Sequence, residues 1–247
     1  MSSSTNKTFR RDEVRDYERR RYRGLDQRLV DRRERKITRK LLAAALAEAG
    51  RNGPRGDAGA APPLVLDVPC GYGRLAGLAL DEGARLVGAD LSLHMVERTL
   101  QNLSGPSSAE RRVAGVVADL TKGLPFRGGV FDAALVMRLF HHLPRSEDRR
   151  AVLTELRRVA RGPVILSFYR TNRLHILQRK LRKALQGKAY EIRMITGRMF
   201  RDEVEAAGMR VVRVVPLFRG LHAQHIAVLE AGRPTDNPVG GTRGILR

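Results

Sequence analysis

Tryptophan is absent from this sequence, and aromatic residues make up 5% of its 247 positions. That excludes a core built mainly on large rings. Cys70 is the single cysteine, which rules out a disulfide framework and a four-cysteine metal site. A reducing setting follows, and no metal site is expected. No apolar run approaches the roughly 20 residues of a membrane span; the longest is Leu41 to Ala47. The first charged residues, Lys7, Arg10 and Arg11, are followed by more charge, not by the apolar stretch of a signal peptide. The expectation is a cytoplasmic protein with no transmembrane segment. Acids are also scarce: 26 Asp and Glu stand against 47 Lys and Arg, a net charge of +21. Such an excess favours an anionic partner, either RNA, an anionic membrane surface at which the protein would sit peripherally, or a phosphorylated substrate. A basic enzyme with no such partner is the plainer alternative.

What is present is a core-forming 42% of apolar residues and an orderly alternation of strand and helix patterns. Residues 1–63 read as a basic N-terminal arm with helical stretches, in which Leu25, Leu29, Ile37, Leu41, Leu42 and Leu46 recur at about helical spacing. Arg51 to Pro63, rich in Gly, Pro and Ala, reads as a linker. From Leu64 the pattern predicts strands at 64–68, 85–89, 113–118, 131–136, 163–168, 209–215 and 222–230. Helices are predicted at 73–82, from Ser92 to 103, at 146–160 and at 199–207, the last stopped by Gly208. Alternating strands and helices indicate an α/β, doubly wound, Rossmann-like sheet over residues 64–231. Residues 232–247 read as a flexible tail.

A doubly wound sheet binds its ligand beyond the carboxyl ends of its strands, and four loops there carry chemistry-bearing residues. Asp67-Val-Pro-Cys-Gly-Tyr-Gly73 follows the first strand, and Gly71 and Gly73 permit a sharp turn and close backbone approach to a ligand. Alone, this is also what any tight strand-to-helix turn looks like. Asp90 ends the second strand, where a carboxylate can accept two charge-assisted hydrogen bonds from a ribose diol; a helix-capping role beside Ser92 is the alternative. Asp119 ends the third strand and can accept from an exocyclic amine, or can simply turn the chain. The fourth segment runs from Phe131-Asp132 to His141-His142-Leu143.

Taken in order, these residues resemble the class I S-adenosylmethionine (SAM)-dependent methyltransferases, in particular the group sometimes labelled methyltransferase type 11. Asp67 to Gly73 looks like the family's first motif, Asp90 its ribose-binding acid, Asp119 with Leu124-Pro125-Phe126 its adenine-side motif, and Phe131-Asp132 with His141-His142-Leu143 its fourth motif and sequel. A dehydrogenase reading would leave the later motifs without a role. The resemblance covers residues 64–230 and implies a seven-stranded sheet whose last strand is antiparallel. It implies SAM as cofactor, with Asp67, Pro69, Gly71, Gly73, Asp90, Leu91, Met95, Asp119 and Leu120 at the cofactor. One departure is Pro69, which stands where the family has its first glycine. Proline fixes φ near −65° and lacks an N–H, so the turn is reshaped while Gly71 and Gly73 still allow close approach.

Methyl transfer to a hydroxyl needs a base, and His141 or His142 can supply it; packing against the cofactor or capping a strand end is the alternative role. Residues 169–195 lie between the fifth strand and the last helix and form a candidate lid, basic through residues such as Arg170, Arg173, Arg179 and Lys180. The expected acceptor is a small or lipid-linked molecule, methylated on a hydroxyl oxygen. An RNA methyltransferase whose arm and lid hold phosphates is the alternative, although no Asn/Asp-Pro-Pro-Tyr/Phe motif is present. A non-catalytic accessory protein on the same fold is a third reading.

Overall fold

The computed structural model describes residues 13–14, 24–52, 61–103, 112–171, 194–220 and 222–232. Helix α1 spans Leu25–Asn52; β1 is Leu64–Asp67, α2 Gly77–Asp81, β2 Arg85–Asp90, α3 Leu93–Leu103 and β3 Val113–Val117. Then come β4 Ala133–Val136, a 3-10 turn at Phe140–His142, α4 Ser146–Val159, β5 Val164–Tyr169, α5 Gly197–Ala206, β6 Met209–Pro216 and β7 Gln224–Ala231. The seven strands form one sheet in the order β3-β2-β1-β4-β5-β7-β6. β7 runs antiparallel to both its neighbours, and the pairs from β3 to β5 are parallel. The strand order reverses between β1 and β4, and a crevice for a ligand opens at such a switch point.

Successive strand side chains point to opposite faces, and each face has its own core. In β1, Leu66 joins a core with Val152, Leu153, Leu156 and Val159 of α4 and Phe200 and Val204 of α5. Val65 points the other way, towards Ile37, Leu41, Leu42 and Leu46 of α1 and Leu78 and Ala79 of α2. The strands buried on both faces read as continuous apolar runs for this reason.

Most predicted elements lie where the pattern placed them, and the differences have local causes. The helix expected at 73–82 shortens to Gly77–Asp81. Gly73 has a left-handed φ of +83, so no helix passes through it, and Leu78 and Ala79 donate to Leu75 and Ala76 three residues back. α5 begins two residues earlier than expected because the Thr196 hydroxyl caps it, accepting from Met199 N at 3.1 Å. Phe131, expected inside β4, makes a separate bridge to Ala160. The Leu25–Asn52 part of the expected arm is one continuous helix whose apolar face sits in the second core, with Leu42 fully buried and Leu29 59% exposed. Most of the candidate lid (172–193) and nearly all of the expected tail (233–247) lie outside the described residues.

Candidate functional site

The turn after β1 is built by its backbone. Gly71 has φ +56 and Gly73 +83, values that disfavour any residue with a Cβ. A Cβ at Gly73 would press on Thr99 of α3 at 3.2 Å, whereas one at Gly71 would meet nothing within 4 Å. Gly73 therefore packs the turn onto α3, and Gly71 faces open space. The Thr99 hydroxyl donates to Gly71 O at 2.8 Å. Pro69 follows a cis peptide bond. Cys70 is buried, and desolvation drives its thiol well above the usual range, so it is not a nucleophile at neutral pH.

Asp90 binds this turn directly. One carboxylate oxygen accepts from Gly71 N at 2.9 Å and the other from Ser92 N at 3.0 Å. Burial raises its pKa, with those N–H bonds acting in the opposite direction. The Leu91 N–H also bonds to this carboxylate, which leaves one of its roughly four acceptor positions for a ligand. Asp67, 3% exposed, is pushed up to about 7 by burial, with Arg74 lowering and Asp90 raising the value. Asp119 is brought alongside by the bond from Ala118 N to Asp90 O, 2.9 Å. It accepts from the Thr121 N–H at 3.0 Å and the Thr121 hydroxyl at 2.6 Å, the geometry of a turn-forming aspartate. Met95 and Leu120 are buried in packing, and Leu91 is half-buried.

Two motif segments prove to be braces. Leu124-Pro125-Phe126 folds back onto α4: Leu124 N donates to Glu155 at 2.6 Å, and Arg158 donates to Phe126 O and Leu124 O at 2.7 and 3.0 Å. Asp132 sits at the amino end of β4, accepting from Leu64 N at 2.8 Å and Arg161 Nε at 2.9 Å. Both lie away from the carboxyl edge and hold secondary structure together.

The other half of the carboxyl edge is made by side chains. His141 is half-buried and His142 exposed on the 3-10 turn after β4. Their rings lie 4.0 Å apart, and His141 meets Tyr169, the last residue of β5, edge-on at 5.0 Å. Tyr169 is in turn 6.3 Å from His222 in the β6–β7 turn. The histidine turn is fixed from below by Arg149, which donates to Leu143 O at 2.7 Å and pairs with Glu203 of α5, both side chains being nearly inaccessible. Arg170 and Ile195 form a bridge, so the segment between them leaves and rejoins the fold at this edge.

Sequence reasoning missed a buried charge cluster here. Glu34 of α1 is fully buried. It pairs with Arg74 at 2.7 Å and Arg138 at 2.5 Å, and accepts from the Gln224 amide. Asp31 takes the other face of Arg74 at 2.6 Å. Burial alone would raise the Glu34 pKa, but the two guanidinium groups outweigh it and hold the carboxyl below its usual range. Arg138 has φ +61, a left-handed conformation that costs a non-glycine residue about 1–2 kcal/mol. Its N–H donates to Ser167 Oγ at 2.7 Å. The one available signal was the spacing of Asp31 and Glu34, three apart on one helix face. Among the described residues, no cluster of His, Cys, Asp or Glu has the makings of a metal site, and no helix is long and apolar enough to cross a membrane.

Residues 65–162 match the family described as "Methyltransferase domain". The chain is 30% identical over 125 residues to a probable 18S rRNA (guanine-N(7))-methyltransferase of Dictyostelium discoideum, covering 46% of this chain and 40% of that protein. It is 28% identical over 144 residues to the magnesium-protoporphyrin O-methyltransferase of Synechocystis, covering 54% of this chain and 60% of that protein. The chain thus spans less than two thirds of the length of these curated relatives. The crystal structure of magnesium protoporphyrin IX methyltransferase from Synechocystis with bound SAH superposes with a TM-score of 0.67 at 21% identity, covering 90% of this chain and 100% of that one. The seven-stranded mixed sheet with antiparallel pairing at its end is that of the Rossmann-like methyltransferase fold.

Proposed function

We propose that this chain, whose residues 65–162 match a methyltransferase domain and whose fold is that of a class I SAM-dependent methyltransferase, methylates a small or lipid-linked acceptor on a hydroxyl oxygen. The cofactor, when bound, supplies a methyl group activated on a sulfonium centre. The residues at the β1–β3 end fit it. Gly71 leaves its backbone open to a ligand, and the Asp90 carboxylate keeps acceptor capacity for a ribose hydroxyl. Asp67 is a buried carboxyl whose charged form is disfavoured; a neighbouring ammonium group would offset that cost. Asp119 stands at the adenine end.

With the cofactor over β1 to β3, the acceptor belongs over β4, β5 and β7. The observation that carries the proposal is His141, held at the end of β4 against Tyr169 at the end of β5. His141, or His142 beside it, takes the proton from the acceptor hydroxyl as the oxygen attacks. The ring-lined surface around them aligns the acceptor and limits water, the contribution expected of a protein around a reactive cofactor.

A second reading, RNA methylation, has its own observation: Arg28, Arg32, Lys36 and Lys40 recur every four residues along the exposed face of α1, a spacing suited to successive phosphates. A scaffold that binds cofactor without turnover is the third. One experiment separates them. The purified chain is incubated with a cell extract and methyl-labelled SAM, and the extract is fractionated into small molecules, lipids and RNA. Label in the first two fractions is expected. Label in RNA overturns the acceptor assignment, and no label anywhere despite cofactor binding favours the scaffold.

A further inference from the structure

We propose that Glu34 is a positioning residue that holds the cofactor turn after β1 and the acceptor-side loop after β4 in one register, making α1 part of the site. The inference rests on the methyltransferase reading above. α1 precedes residues 65–162, the span matched as a methyltransferase domain. Even so, its one fully buried carboxylate reaches across the switch point of the sheet. Arg74, its first partner, directly follows Gly73 in the cofactor turn. Arg138, its second, lies two residues past Val136, the end of β4, and leads into the histidine turn. Gln224, its third, opens β7 opposite Tyr169. One side chain therefore joins three segments that meet only at the carboxyl edge.

Holding α1 in place does not require this arrangement. Ile37, Leu41, Leu42 and Leu46 bury the helix face from one turn further on, and apolar packing is the cheaper way to attach a helix, because burying charges carries a large desolvation cost. A buried ion cluster fixes geometry: the Arg138 fork is bidentate on Glu34, through Nε at 3.3 Å and Nη2 at 2.5 Å. It also helps to hold Arg138 in its left-handed backbone conformation, the kind of strain that persists where the surroundings over-determine it. Asp31 and Glu34 balance Arg74 and Arg138 in charge, so loss of the Glu34 charge leaves Arg74 with Asp31 and strips Arg138 of this partner, one cation in excess within the cluster.

The test needs no acceptor. S-adenosylhomocysteine binding is measured by calorimetry at a temperature well below the unfolding midpoint of each variant. Glu34→Gln is expected to weaken binding at least tenfold. Leu42→Ala, which loosens the same helix through the apolar core, should lower the midpoint yet change affinity less than twofold. If Glu34→Gln fails to fold, Glu34→Gln/Arg138→Gln, which removes one anion and one cation together, carries the comparison, and the same tenfold loss is expected. Wild-type affinity in whichever glutamine variant folds overturns the proposal. So does a loss of affinity in Leu42→Ala that matches theirs, since Glu34 would then be one more anchor of α1. Absence of binding by the wild-type chain is a different failure: it removes the methyltransferase reading itself, and the proposal falls with it.

Discussion

The two halves of the carboxyl edge are built by different means. At the β1–β3 end, Gly71, Asp90 and Asp119 work through backbone N–H groups and residues close in sequence: Asp90 reaches Ser92 two positions on and Gly71 nineteen back. At the β4–β5–β7 end the contacts are between side chains far apart in the chain, 104 residues for Glu34 with Arg138 and 190 for Glu34 with Gln224. The first half is a preformed cradle whose shape is local. The second is an assembly that exists only once the sheet and α1 have come together. Variants in the first half should therefore alter cofactor binding, and variants of the rings in the second half should alter turnover with cofactor affinity intact; Glu34, which also reaches Arg74 in the cofactor turn, is the exception because it joins the two halves.

The sharpest separation is expected at the histidines. If His141 is the base, His141→Asn should lower kcat by roughly 10²–10⁴-fold on the identified acceptor, with S-adenosylhomocysteine affinity unchanged. A base must be neutral to accept a proton, so wild-type activity should fall on the acidic side of the histidine pKa, and that limb should vanish in the variant. A fall in cofactor affinity with the acidic limb preserved would instead place His141 on the cofactor side, and the division of the edge would fail at this point. His142→Asn is the matched control for which ring does the work.

The same division explains what could be read from the sequence. Asp67 to Gly73 and Asp90 were legible because a strand-turn-helix segment states its own geometry: left-handed glycines and an acid at a strand end need no distant partner. The antiparallel last strand came with the resemblance, whereas the strand order came only from the structure, since periodicity alone does not order a sheet. Glu34 was not legible. In sequence it is one charge among many in Asp31-Arg-Arg-Glu-Arg-Lys36, and only packing onto Arg74 and Arg138 singles it out. Arg138 looked like one more arginine, because its left-handed backbone leaves no mark on residue type. Asp132 and Leu124-Pro125-Phe126 were recognisable as motif residues, yet their bonds are to Arg161, Glu155 and Arg158, roles that a motif cannot declare.

Asp67 offers an intermediate effect on the cofactor side. Its carboxyl, ordinarily near 3.8, titrates near 7 in the fold because burial disfavours the charge. A raised folded pKa means that the stability contribution is complete below about pH 4 and is lost as pH rises through 7. Wild-type stability should therefore decline across this window, while Asp67→Asn, which has no charge to bury, should not share the decline. By pH 8 the variant should have gained on the order of 2–4 kcal/mol relative to its difference from wild type at pH 4. It should bind S-adenosylhomocysteine more weakly if the carboxylate meets the cofactor's ammonium group. Denaturant melts at pH 4, 6 and 8 check the first part. Parallel stability curves for the two proteins would mean that Asp67 is charged in the fold throughout.

The smallest effect expected is also the one that best tests how local the cradle is. Asp90→Ala removes an acceptor from Gly71 N and one from Ser92 N, and any bonds to the ribose. Losing one charge-assisted bond should weaken cofactor binding by on the order of 1.5–3 kcal/mol, roughly 10–150-fold, in a domain that stays folded on its two apolar cores. Two causes would produce this number. Asp90 can act on the ribose itself, or it can act through Gly71 by stiffening the turn that, on the reading proposed above, receives the amino-acid end of the cofactor. Adenosine separates them, because it has the ribose but lacks the amino-acid end. Equal losses for adenosine and S-adenosylhomocysteine would mean that the carboxylate touches the ribose. A loss confined to S-adenosylhomocysteine would make Asp90 a brace for the turn, and the cofactor half would then depend on side-chain support much as the acceptor half does.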